Sequence, residues 1–148
     1  MHTEHLQNVR ATRVLAGWLV AIAVTSLAGL VLVGFQLSDV TSQVGTAWTI
    51  LAVVVGFWAG GFFAGFRALQ APVLHGVAIG LTTLVVWVLV NVIVGVAFHT
   101  AGWTGLTARL AVALILAQIA AAVVGALMGY NLALRGKPGL SEHEPVPD

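Results

Sequence analysis

Asn91 and Gln118 are the strongest uncharged polar groups within the long apolar stretches of this 148-residue chain. A primary amide offers two donors and an acceptor. Buried among apolar helices, it can hydrogen-bond to a neighbouring helix or line a path for a small solute. On helices entered from opposite ends, the two Cα atoms differ in height by roughly 6 Å, so the amides could meet directly or through water. Thr82 and Thr83 would extend such a lining. Arg109 would place a fixed positive charge at its mouth, unless the side chain snorkels to the interface or pairs with Asp39. His75 could relay protons only with an acid partner, and the apolar stretches contain neither Asp nor Glu. That absence argues against proton- or cation-coupled transport of the carboxylate type.

Trp58 and Trp87 fall near mid-stretch. With Phe57, Phe62 and Phe63 they could line a groove for a lipid, quinone or carotenoid; the competing reading is plain packing or lipid contact. Trp18, Trp48, Trp103 and Tyr130 instead lie where interfacial aromatic belts form. His75 and His99 cannot share one haem, because about 36 Å of helix separates them. His2 and His5 make at most a weak pair, with no third ligand implied. The chain has no cysteine, so disulfides, thiolate catalysis, iron–sulfur clusters and Cys-ligated zinc are excluded. No Ser-His-Asp set, HExxH helix, phosphate loop or haem-attachment motif is present. The reading is a non-enzyme, with no metal and no assigned cofactor.

The elements that hold these residues are written in the charge pattern. Between Arg13 and Arg135 the only charged side chains are Asp39, Arg67 and Arg109. They leave apolar runs, each long enough for the roughly 20 residues that a membrane helix needs. The chain is 59% hydrophobic and 7% charged, with a mean hydropathy of +1.03. Soluble domains average about 25% charged residues, so this chain could not cover a water-facing surface. The expected fold is all-α: one four-helix transmembrane bundle with helices near 12–37, 46–68, 72–98 and 107–134. Residues 1–11 read as a polar arm and 135–148 as a flexible acidic tail. The first apolar stretch is too long for a signal-peptide core, so it reads as a retained helix. Arg10, Arg13, Arg67, Arg135 and Lys137 fall on one side and only Arg109 on the other. The positive-inside rule then predicts N-in, C-in topology in a cytoplasmic membrane. A net charge of +1 argues against nucleic acid as a partner.

Apolar helices gain little from burial against each other in lipid, so their association depends on close backbone approach and interhelical hydrogen bonds. Small residues recur accordingly. The second helix carries Gly56, Gly60 and Ala64 on one line and Gly61 and Gly65 on an adjacent one. The third carries Gly76 and Gly80, and the fourth Ala113, Ala117, Ala121, Gly125 and Gly129, with Ala122 and Ala126 alongside. The first carries Gly17, Ala21, Thr25 and Gly29. Two lines on the second helix predict a central position with two neighbours, one of which could belong to another protomer. Gly61-Phe-Phe-Ala-Gly65-Phe also echoes Gly125-Ala-Leu-Met-Gly129-Tyr, a faint parallel repeat.

Gly60-Gly61-Phe-Phe-Ala64-Gly65-Phe-Arg67-Ala68, followed by Leu74-His75-Gly76 and Gly80, resembles a segment of small, uncharacterised bacterial four-helix membrane proteins. The match spans about a quarter of the chain. Pro72-Val73 stands where that group has an aromatic residue before Leu-His-Gly. The resemblance implies a fold and no activity, and it draws attention to His75, expected to hydrogen-bond across the turn to the second helix. The functional expectation is a small accessory or scaffold subunit, packing through its Gly/Ala faces with itself or a larger membrane complex. The alternative is a conduit lined by Thr82, Thr83, Asn91 and Gln118, and a third reading is a lipophilic-cofactor binder at Trp58 and Trp87.

Overall fold

The computed structural model describes residues 10–37, 39, 42–68, 71–98 and 108–135. It is all-helical. The helices are α1 (Ala11–Gly34), α2 (Gln43–Arg67), α3 (Pro72–Phe98) and α4 (Ala108–Arg135). All four are long and apolar enough to cross a membrane. Arg13, Arg67 and Arg135 mark one end of the bundle, called here the basic end. The tail beyond Arg135 and the first nine residues lie outside the described residues.

Local chemistry sets the boundaries. α1 stops three residues before the expected Leu37, because Gln36 turns into the left-handed region at φ 58°. There Leu37 N–H reaches Leu32 O at 2.8 Å and Gln36 N–H reaches Val33 O at 3.0 Å, the paired bonds of a Schellman ending. α2 begins earlier than the expected Thr46, because Ser42 caps it. Its Oγ accepts Gly45 N–H at 3.0 Å and donates to Asp39 O at 2.8 Å. α3 begins at Pro72 as expected, where a missing N–H costs nothing.

α2 is the centre. It packs most extensively on α4 and then on α1, while α3 packs on α4 and more lightly on α1 and α2. The two glycine lines of α2 divide this work. Gly56 and Gly60 face α1: a Cβ on Gly60 would lie 2.6 Å from Ala21 Cβ, and one on Gly56 would lie 2.8 Å from Ala21 O. Gly61 and Gly65 face α4: a Cβ on Gly61 would lie 2.7 Å from Ala122 Cα, and one on Gly65 would lie 2.6 Å from Ala126 Cα. Real Cβ atoms do not approach backbone so closely, so only glycine permits these crossings. Both neighbours of α2 therefore belong to the same chain.

The α2–α4 seam is parallel and reciprocal. Gly61 on Ala122 is answered by Gly125 on Trp58, and Gly65 on Ala126 by Gly129 on Phe62. Each answer swaps equivalent positions of the two helices, so the faint sequence repeat becomes a local two-fold relation at this seam. The α4 line does not act as one face. An every-fourth line drifts around a helix by about 40° per step. Gly125 and Gly129 reach α2, whereas Ala117 and Ala121 are only half-buried and Ala113 is exposed.

The core lies toward the basic end, built from Val14, Ala21, Phe57, Ala64, Ile79 and Ala122. Toward the opposite end the helices separate. Gly29 continues the α1 line, yet nothing lies within 4 Å of a Cβ placed there. We expect Gly61→Ala to destabilise the detergent-solubilised chain by about 1–3 kcal/mol through forced separation of α2 from α4. Gly29→Ala should shift stability by no more than about 0.5 kcal/mol. Thermal or denaturant unfolding of the two variants side by side checks the contrast.

Candidate functional site

His75 is fully buried, and its partners differ from the expected ones. It sits one turn into α3. Its Nδ1 lies 2.9 Å from Ala71 O, and its Nε2 accepts the N–H of Arg10 at 3.4 Å. Neither partner belongs to α2. The network assigns the ring proton to Nδ1, since a carbonyl can only accept and an amide N–H can only donate. Ala71 has φ 50°, a conformation that costs a non-glycine residue about 1–2 kcal/mol, and its carbonyl also receives His75 N–H at 3.2 Å. Arg10 is the N-cap of α1, which lacks a side-chain cap of its own. The imidazole thus joins the start of α3 to the start of α1. That is a structural clip.

The conduit residues are not assembled into a path. Thr82 Oγ1 donates back to Ala78 O at 2.8 Å, and Thr83 Oγ1 to Ile79 O at 3.3 Å. Asn91 Nδ2 donates to Trp87 O at 2.8 Å, one turn down its own helix. The expected amide pair does not form: Gln118 Oε1 is buried without a hydrogen-bond partner. Thr83 and Gln118 do meet, with Trp87, on the wall of a cavity of about 200 Å3 between α3 and α4. Ile79 and Phe57, both essentially buried, fill the bundle on the basic side of it. Arg109 opens α4, but its side chain lies outside the described residues, as do His99 and Trp103.

Trp58 and Trp87 are separated. Trp58 stacks on Phe62 at 5.7 Å, and Phe62 on Phe66 at 6.3 Å. This aromatic row flanks the α2–α4 seam, and Trp58 and Phe66 are exposed along it. Trp87 belongs to the α3–α4 cavity, which Trp58 does not reach. Phe57 points into the core instead. The two tryptophans therefore do not form one groove. No group of three or more His, Asp or Glu side chains with metal-binding placement occurs among the described residues.

No protein-family model matches the chain, and no curated protein and no solved structure matches it significantly.

Two features escaped sequence reasoning. Trp18, read as a belt residue, turns inward and donates its indole N–H to Thr83 Oγ1 at 3.0 Å, tying α1 to α3. Thr25 Oγ1 is buried without a partner, where α1 crosses Gly56. The spacing of Trp18, one turn inside the apolar run, carried no sign of either direction. We expect His75→Ala to destabilise the fold by about 1–3 kcal/mol, because it strands the Arg10 amide and removes one of the two hydrogen bonds to the Ala71 carbonyl. Gln118→Leu should be neutral or stabilising, since it removes an acceptor that already lacks a partner. Unfolding transitions of both variants, measured in one detergent, decide between them.

Proposed function

We propose that this chain is a multi-pass membrane protein of the cytoplasmic membrane, N-in and C-in. In this reading it acts as a non-catalytic accessory subunit for another membrane-embedded protein or for a further copy of itself. The four apolar helices and the clustering of arginines at one end support the membrane placement. Asn91 supports the partner. It lies on α3, the least buried span, among the exposed Val88, Val90, Val92 and Val94. Its amide has one described hydrogen bond, to its own helix. A primary amide left toward hydrocarbon is expensive, and a neighbouring helix that supplies a donor and an acceptor removes the expense. The glycine lines of α2 and α4 are occupied within the chain. The docking edge proposed here is accordingly the half of α3 remote from the basic end.

A second reading, a small-solute conduit completed by oligomerisation, draws on Gln118. Its carbonyl lacks a partner beside a cavity that also holds the Thr83 hydroxyl. Native mass spectrometry after mild-detergent extraction separates the two. A co-purifying heterologous partner is expected, with Asn91→Leu lowering its occupancy about three- to thirty-fold, the range of one interhelical amide contact. A bare monomer would sink the accessory reading. A homo-oligomer whose liposome leak is lost in Gln118→Leu would put the conduit in its place.

A further inference from the structure

At the basic end a cavity of about 400 Å3 opens between the first turns of α1 and the last turns of α2. Thr12, Arg13 and Ala16 line it from α1, and Phe63, Ala64 and Arg67 from α2. Its floor is the glycine seam. A Cβ on Gly17 would lie 2.9 Å from Ala64 Cβ and 2.8 Å from Ile79 Cδ1, so α1 and α2 nearly touch there and close the cavity from below. Its walls are cationic. The Arg67 guanidinium lies over the Phe63 ring, 4.8 Å from the centroid. That contact uses the face of the group and leaves its in-plane N–H donors for another ligand. Arg13 belongs to the first turn of a helix with no side-chain cap, whose free amide dipoles add positive potential.

No acid among the described residues offsets these charges. The single one, Asp39, lies beyond the far ends of α1 and α2. Two guanidinium groups and a hydroxyl therefore border one small-floored cavity, with no carboxylate beside them among the described residues. Arginine forks match the oxygens of a phosphate. The rest of the lining, Ala16, Ala64 and Phe63, is apolar, which suits an acyl chain better than water.

We propose that this cavity binds the phosphate headgroup of an anionic phospholipid, with Arg13, Arg67 and Thr12 as its donors. The proposal rests on the membrane reading above, since basic pockets between spanning helices meet lipid headgroups at this depth.

The test uses the full chain in nanodiscs of phosphatidylcholine with or without phosphatidylglycerol. Recovery of the wild type in the nanodisc fraction checks the membrane reading by itself. Lipid selectivity, read as phosphatidylglycerol retained on detergent re-extraction and native mass spectrometry, checks the site. The wild type should retain phosphatidylglycerol over phosphatidylcholine. Arg13→Gln and Arg67→Gln should each lower that preference about five-fold, and Arg135→Gln, a cation of the same end outside the cavity, should leave it unchanged. Equal retention of the two lipids by the wild type would overturn the proposal, as would an Arg13→Gln/Arg67→Gln variant that folds and keeps the preference. Loss of the wild type's preference in millimolar inorganic phosphate would also overturn it, by assigning the site to a soluble anion. If the wild type shows no preference until Glu142, Glu144 and Asp148 are changed to amides, the chain's own tail fills the cavity and the lipid assignment falls.

Discussion

The approach of backbone to backbone at α2 is the constraint from which the rest of the structure follows. In a bilayer, apolar side chains of separate helices would be as well solvated by lipid tails as by each other, so attraction there would come from dispersion at very short range. α2 achieves this on two sides. Gly56 and Gly60 admit α1, and Gly61 and Gly65 admit α4. Neither pair could be replaced by alanine without moving a neighbouring helix axis, because the atoms that a Cβ would meet are largely backbone and not the flexible ends of side chains. Consecutive glycines at 60 and 61 point in directions about 100° apart on the helix, which sets α1 and α4 on different flanks of α2.

Short-range packing of this kind is local, and the bundle shows where it stops. From Gly17 to Thr25 on α1 the crossing with α2 is tight; by Gly29 it has opened. The space beyond it is a wholly apolar cleft walled by Leu27, Val31, Trp48 and Leu51. The α3–α4 contact behaves alike: Gly76 and Gly80 press on Val123 and Ile119, and the cavity at Thr83, Trp87 and Gln118 follows. The polar clips lie in the closed half. His75 joins the starts of α3 and α1, and Trp18 bonds Thr83 across the same pair of helices. The bundle is thus held at its basic end and divided at the other, and the exposed surface of α3 beyond Leu84 is a consequence of that division.

Much of the architecture was legible in the sequence. Three isolated charges in a long apolar chain mark the ends of the spans, since a charged side chain within hydrocarbon is costly. The adjacent glycine lines marked α2 as central, because glycine at every fourth position means close approach. Whether a neighbour belonged to the same chain was not legible, since small residues look alike from either side of such a contact. Helix ends missed by three residues at Gln36 and Ser42 reflect backbone caps, which depend on φ more than on hydropathy. The site was the least legible part. Asn91 and Gln118 share a chemistry and lie within reach of each other in height, but rotation about each helix axis decides whether they meet, and Asn91 bonds to its own backbone. His75 stood out as a polar residue near a tight turn. Its second partner, the amide of Arg10, is separated from it by the length of two helices, and no spacing rule reaches that far.

The two-fold relation of the α2–α4 seam explains why α3 is left exposed. The displacement that carries Gly61 to Gly125 and Gly65 to Gly129 carries Gly56 to Ala120 and Gly60 to Val124. On α2 that second line is glycine, and α1 sinks into it. On α4 its counterpart carries the exposed Ala120 and Val124, with side chains that would hold another helix away. α3 therefore seats on a different strip of α4, against Ile119 and Val123, and supplies the glycines itself at 76 and 80. Two glycines secure one end of a 27-residue helix. The remainder, with Asn91 on it, is largely exposed among the described residues. A fold built on one duplicated glycine line and one unduplicated line thus yields a bundle with one helix firmly docked on α2 and another docked at a single end.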